Sequence, residues 1–212
     1  MPQTFSLDGL FAGKPQALGP RGALSSIVKN PIASLTVHIN GTKEDEQANK
    51  RLHGGPEKVL HQFSPIHYKT LQEHFPEGHF VLGSMGENIS VKGMDDTTVY
   101  IGDIWKLGDV ELQVSAPRAP CVKICHRFGI ANLDRYVGER GITGWYYRVI
   151  KTGTINVGDN VKLLHREAKT VNVHTLMHCA HNKTDKALAA SLATLSVLDD
   201  EWRQKCKKIA NR

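Results

Sequence analysis

The sequence predicts a mainly β fold with flanking helices (α+β): a barrel of short strands, then a small helical end. Three observations point there. Ile32 to Ile39 alternates strictly, with Ala33, Leu35, Val37 and Ile39 on one face and Ser34, Thr36 and His38 on the other. That is the pattern of a half-buried strand. Gly-Asp recurs after an apolar residue at Ile101-Gly102-Asp103, Leu107-Gly108-Asp109 and Val157-Gly158-Asp159, a turn signal between short strands. From about Thr170 the apolar residues change to helical spacing. Short, closely spaced strands favour a barrel or sandwich over a doubly wound sheet. The expected division is residues 1–169 for the β domain and 170–212 for three helices.

Along the chain, Glu57 to Phe63 reads as a second strand. Ser64-Pro65 reads as a cap followed by proline at the first helical position, opening a helix that runs to about Phe75, before Pro76. Val110 to Ser115 and Trp145 to Lys151 are strands, and Cys121 to Phe128 is a short helix stopped by Gly129. Val173 to Ala180 is helical in character. Thr184-Asp185 caps a helix over Lys186 to Leu195, and Ser196 caps a third that carries Trp202, Cys206 and Ile209 at helical spacing.

The 212 residues are 40% hydrophobic, enough for one substantial core. No apolar run approaches the roughly 18 residues of a membrane span, and Met1 to Gly13 lacks the basic-then-apolar pattern of a secretory signal. The four cysteines, Cys121, Cys125, Cys179 and Cys206, do not suggest a disulfide framework in so long a chain. A reducing cytoplasm is the expected compartment. The formal net charge is +6, but the basic residues are scattered, with a local excess only at Arg203, Lys205, Lys207, Lys208 and Arg212. With no zinc finger and no basic stripe interleaved with aromatics, stable nucleic-acid binding is not expected.

The run Ser115-Ala116-Pro117-Arg118-Ala119-Pro120-Cys121-Val122-Lys123 carries the most chemical information. Two prolines make the backbone before the thiol stiff and non-helical. Arg118 and Lys123 favour its thiolate form, so Cys121 reads as a nucleophile or a metal ligand. Other metal groupings are weaker. Cys121, Cys125 and His126 form C-x3-C-H, and His174, His178, Cys179 and His181 cluster on a helix, but neither has the paired spacing of a structural zinc site. A partly exposed amphipathic helix accounts for the histidines, and core packing accounts for Cys125. A cysteine hydrolase needs a histidine beside Cys121. No Walker loop or dinucleotide fingerprint is present. Two further stretches are specialised: Asp45-Glu46-Gln47 leading to His53-Gly54-Gly55, and Gly86-Glu87-Asn88. The paired glycines allow close backbone approach.

These stretches, with the Gly102-Asp103 turn and Ser115-x-Pro117-Arg118-x-Pro120-Cys121, resemble the MOSC family, and within it the YiiM-like subfamily. The resemblance covers nearly the whole chain. It implies a MOSC-type β-barrel followed by a small three-helix C-terminal domain. It also implies a molybdenum cofactor (molybdenum with molybdopterin) and reductive removal of oxygen from N-hydroxylated compounds such as hydroxylaminopurine-type bases, hydroxylamines and amidoximes. No flavin, haem or iron–sulfur signature occurs, so electrons are expected from a separate flavoprotein or iron–sulfur reductase. A soft thiolate is a reasonable molybdenum ligand.

By that resemblance Cys121 is the metal ligand, and Arg118 and Asn88 hydrogen-bond the cofactor. His53 and Gln47 line the pocket, with His53 as proton donor and Glu87 as a second proton-transfer group. Ser115 belongs to the cofactor-binding motif, and Lys14 and Arg21 are assigned to the pterin phosphate. Two competing readings stay open: a cofactor carrier or sulfur-transfer module with a persulfide on Cys121, and a non-catalytic binding module whose C-terminal helices dock a redox partner.

Overall fold

A computed structural model describes residues 4–48 and 55–212. In chain order, its first part is β1 Thr4–Ser6, β2 Gly9–Ala12, the hairpin β3 Gln16–Leu18 and β4 Ala23–Ser25, β5 Asn30–Ile32, β6 Ser34–His38, β7 Gly41–Thr42, β8 Leu60–Gln62, α1 Pro65–His74 and β9 Ile89–Ser90. Then follow β10 Ile104–Leu107, β11 Val110–Pro117, α2 Lys123–Phe128, α3 Leu133–Arg140, β12 Trp145–Lys151, β13 Gly153–Asn156 and β14 Asn160–His165. The end is α4 Val173–Asn182, α5 Lys186–Ala193 and α6 Asp200–Ala210.

Nine strands form one curled sheet in the order β1-β14-β10-β11-β12-β8-β9-β2-β5, with β13-β6-β7 as a smaller second sheet. The predicted barrel is therefore a half-barrel of short strands with helices against it. The Gly-Asp turns sit where they were read. Leu107 pairs with Val110 across the two-residue Gly108-Asp109 turn, and Gly102, Gly108 and Gly158 all have positive φ. The Ile32–Ile39 pattern yields the shorter β6. Leu35 and Val37 are buried, while Ala33 and Ile39 face solvent, because pairing with β13 ends at Val37 and Ser34. The strand expected over Glu57–Phe63 contracts to β8, whose three residues are all buried.

Two hydrophobic clusters flank the site. One runs from the sheet (Leu60, Ile89, Trp105, Leu112, Trp145, Tyr147) continuously into Leu176, Leu192, Trp202 and Ile209 of α4, α5 and α6. The other gathers Phe63, Tyr68, Leu71, Met85, Ile124, Leu133 and Val137 under α1, α2 and α3. Helix α3 has no counterpart in the sequence reading, since its entry residue Asn132 is left-handed (φ 61°) and offers no side-chain cap. One cap moves. Asp199, not Ser196, starts α6, and its carboxylate accepts from Trp202 N at 2.8 Å. Asp185 caps α5 as expected, accepting from Leu188 N at 2.9 Å.

β11 positions the cysteine run. Its register with β12 shifts between Val114 and Ala116, a bulge of the kind that re-aims a strand end. Pro117 still pairs with Trp145. Beyond it Arg118 N donates to Gly144 O at 3.0 Å, and the Cys121 carbonyl accepts from Ile124 N at 3.0 Å to open α2.

Candidate functional site

A cleft opens where the Cys121 run meets β8, the Gly86–Asn88 loop and the Asp45–Ala48 segment. Of the residues predicted from sequence, Cys121, Arg118, Asn88 and Gln47 all reach its wall, although they come from segments up to seventy-odd positions apart. Cys121 is half-buried there.

The other predicted residues lie elsewhere. Glu87 is buried behind the wall: its Oε1 accepts from Tyr68 OH (2.5 Å), Gly83 N (2.7 Å) and Ser90 Oγ (3.2 Å), and burial raises its carboxyl. The alternation of a loop entering β9 turns Glu87 inward while Asn88 turns to the cleft. The Ser115 hydroxyl is consumed by Glu57 O and Tyr146 O, so the serine holds β11 to its neighbours instead of facing a ligand. Lys14 is exposed and lies 3.9 Å from Glu46, and Arg21 is exposed on the β3–β4 hairpin. Neither lines the cleft, because the basic N-terminal loop turns outward from it. His53 and Gly54 fall outside the described residues.

Asn88 is a brace. Its Nδ2 donates to Phe11 O (3.2 Å) and Asp45 Oδ2 (3.0 Å), and its Oδ1 accepts from His61 N (3.1 Å). One amide thus ties β2, the Asp45 segment and β8 together. Gln47 acts similarly, donating Nε2 to Lys58 O at 3.1 Å. Gly86 closes the wall. Its φ is +81°, and a Cβ there would come 2.8 Å from Ile27 Cγ1, so only glycine lets this loop lie against the Ile27 segment.

Sequence reasoning missed the strongest electrostatic elements. Lys29 Nζ lies 2.5 Å from Asp45 Oδ1, with the side chains 5% and 6% exposed, and Gly13 N also donates to that oxygen at 2.7 Å. Burial lowers the Lys29 ammonium from its ordinary value, Arg118 pushes the same way and Asp45 opposes. His61, 4% exposed, lines the cleft. Burial first, then Arg118, pull its pKa well below 6.5, so the ring is neutral. Its Nε2 is 3.5 Å from Thr143 O and the Gly86 backbone lies beside the ring, but Nδ1 makes no well-formed hydrogen bond among the described residues, nor does Ser26 Oγ on the same wall. Lys123 and Lys58, the latter paired with Asp199 (3.4 Å) and Glu201 (2.5 Å), complete a basic lining. The signal for His61 was its place in a buried strand with polar neighbours; nothing local in the sequence marks Lys29.

Cys125 lies apart from this wall: its thiol donates to Asp134 Oδ1 at 3.1 Å and is raised by burial. The His174 and His178 rings lie tilted with centroids 4.3 Å apart, but no group of three or more potential ligands converges among the described residues.

The cleft combines an accessible thiol, a basic lining and two buried polar atoms without a well-formed hydrogen bond among the described residues. The MOSC domain family model matches residues 49–162, more than half the chain. This chain belongs to the MOSC family. Protein YiiM of Escherichia coli K12 is 32% identical over 94% of this chain and 90% of its own. The crystal structure of YiiM from Geobacillus stearothermophilus superimposes with a TM-score of 0.83 at 25% identity, over 98% of this chain and 100% of that one. A Gibberella moniliformis protein named "Reductase" is 43% identical over 129 residues, 59% of this chain but 23% of its own length. The superposition with this YiiM structure takes in α4–α6, which lie beyond the residues that the MOSC model matches. No helix among the described residues is long and apolar enough to cross a membrane.

Proposed function

We propose that this MOSC protein is a molybdenum-cofactor-dependent reductase that removes oxygen from N-hydroxylated small molecules, with electrons supplied by a separate reductase. The observation that carries the reading is the half-buried Cys121 thiol on the wall of a basic cleft that also presents His61 Nδ1 and Ser26 Oγ without well-formed hydrogen bonds among the described residues. Buried polar atoms are normally satisfied, so two such atoms on the cleft wall support a polar ligand there. A thiolate donor suits a soft metal, and Arg118 and Lys123, which have no carboxylate partner among the described residues while Lys29 and Lys58 are ion-paired, suit an anionic pterin phosphate. The family match and the reductase-named relative support oxidoreductase chemistry.

Bound here, the molybdenum cofactor would supply the redox equivalents for N–O cleavage. Cys121 would hold the metal, and Arg118, fixed by Nη1 to Met85 O at 2.8 Å, would face the cofactor with its remaining donors. Asn88 and Gln47 keep the walls at fixed spacing. The overall change is R–NH–OH plus two electrons and two protons giving R–NH2 and water. Lys29 is the cleft's proton donor: burial makes its ammonium a stronger acid than free lysine. His61, held neutral, can position substrate or cofactor through a hydrogen bond but is a poor acid. Glu87, behind the wall, organises the Tyr68 and Gly83 loop.

The test is Cys121→Ala. The variant should fold with unchanged circular dichroism, carry no molybdenum by elemental analysis after expression in a molybdenum-replete host, and lose amidoxime reduction driven by reduced viologen. Retained reduction ends the proposal. Wild-type protein that lacks molybdenum but releases cyanide-labile sulfur from Cys121 supports the persulfide carrier instead.

A further inference from the structure

The run of basic residues at the C-terminus has no part in the cleft. It borders a second depression, between α3, α4 and α6. The floor is apolar: Met177, Trp202 and Ile209 are 5%, 3% and 4% exposed yet form its base. The rim is basic. Arg135 and Lys205 are neutralised by Glu139 (2.8 Å) and Glu201 (2.7 Å), but Lys183, Lys208 and Arg212 have no ion-pair partner among the described residues. Asp134 is the acidic residue on the lining, and its Oδ1 is already occupied by the Cys125 thiol and Arg135 N. The depression therefore presents free positive charge around an apolar centre, the arrangement of a protein contact patch with an electrostatically steering rim.

Its position gives it meaning. Pro120 walls this depression, and Cys121, the next residue, walls the cleft. The proline lies against α3 at Gly138, where a Cβ would sit 3.4 Å from its ring. One stiff dipeptide thus separates the two concavities. A protein seated in the outer one would face the proposed metal ligand across a single peptide.

We propose that the α3–α4–α6 depression docks an acidic, flavodoxin-type electron-donor protein. This rests on the reductase reading above and specifies where its electrons enter. Two reduced donors, each oxidised by one electron, supply the pair. With two protons from solvent, the N–OH bond is replaced by N–H and water leaves. The proline wall and the cations without ion-pair partners among the described residues distinguish this face from a generic apolar patch.

The experiment uses the full-length, molybdenum-loaded protein and the triple variant Lys183→Glu, Lys208→Glu, Arg212→Glu, with an amidoxime substrate. Each is driven either by flavodoxin with its NADPH-dependent reductase or by reduced methyl viologen. The expected result is a loss of about tenfold or more in the flavodoxin-driven rate, with the viologen-driven rate within about twofold of wild type. The wild-type flavodoxin rate should also fall steeply as salt rises from about 50 to about 300 mM. An unchanged flavodoxin rate in the variant overturns the proposal, as does an equal loss with both donors. If wild-type protein shows no viologen-driven activity, the reductase reading fails, and docking is decided by titrating oxidised flavodoxin onto both proteins. Wild-type binding that the variant loses sustains the surface, and no wild-type binding ends it. Binding of a single-stranded oligonucleotide that the variant loses, without flavodoxin binding, would assign the face to nucleic acid.

Discussion

Removing the charge of Asp45 should do more damage than its loop position suggests. Its carboxylate holds Lys29 Nζ at 2.5 Å, Gly13 N at 2.7 Å and Asn88 Nδ2 at 3.0 Å. Asp45→Asn leaves an ammonium that is 5% exposed without its counter-charge, and breaking one side of a buried pair costs about 3–5 kcal/mol. Against a total stability of about 5–15 kcal/mol, that is a large fraction. Lys29→Met alone should cost less, because Asp45 keeps two hydrogen-bond donors. The double variant should recover part of the Asp45→Asn loss, giving a coupling of at least about 1 kcal/mol in the cycle. Urea unfolding of the four proteins with a shared m-value measures it. The sign with pH is also fixed. The folded state lowers the Lys29 pKa, so between that value and the unfolded value near 10.5 only the unfolded chain binds the proton, and stability rises with pH. In Asp45→Asn the folded pKa falls further and the rise begins at lower pH. A single-variant loss under about 1 kcal/mol, or strict additivity, would refute a buried pair bracing the cleft.

Other outcomes follow from the same geometry. His61 is depressed in the folded state, so stability should fall as pH drops below about 6.5, by up to about 1.4 kcal/mol per pH unit; His61→Phe should flatten urea midpoints measured between pH 7 and pH 5. Gly144 has φ +70° and no room for a Cβ against Gln62 O. Gly144→Ala should cost about 1–3 kcal/mol and weaken molybdenum retention, because Gly144 O anchors Arg118 N; retention at wild-type level would show that Arg118 is placed by other contacts. Asp199→Ala should cost about 1 kcal/mol or more as a lost cap, since Asp199 also lies 3.4 Å from Lys58, whereas Ser196→Ala should leave the melting temperature unchanged.

Some local signals were read correctly. Turns at Gly102, Gly108 and Gly158 follow from glycine's access to positive φ, and β12 came out residue for residue because its apolar period and its neighbours agree. The proline-framed Cys121 also announced itself, since stiffness and thiol chemistry are properties of a short segment. Where two local signals competed the outcome was mixed: Ser196 looked like a cap, but Asp199 accepts from Trp202 N and starts the helix, and its carboxylate also lies 3.4 Å from Lys58.

The sequence alone determined the fold class and the family motifs and singled out the thiol that the structure places on the cleft wall, because each is encoded in the order of nearby residues. Tertiary structure decided the rest. It turned Glu87 and Ser115 away from the cleft, carried Lys14 and Arg21 outward, and brought in Lys29 and His61. Burial, charge pairing and the direction of a side chain depend on what the far parts of the chain place beside it. No pattern within a single strand or loop specifies those neighbours.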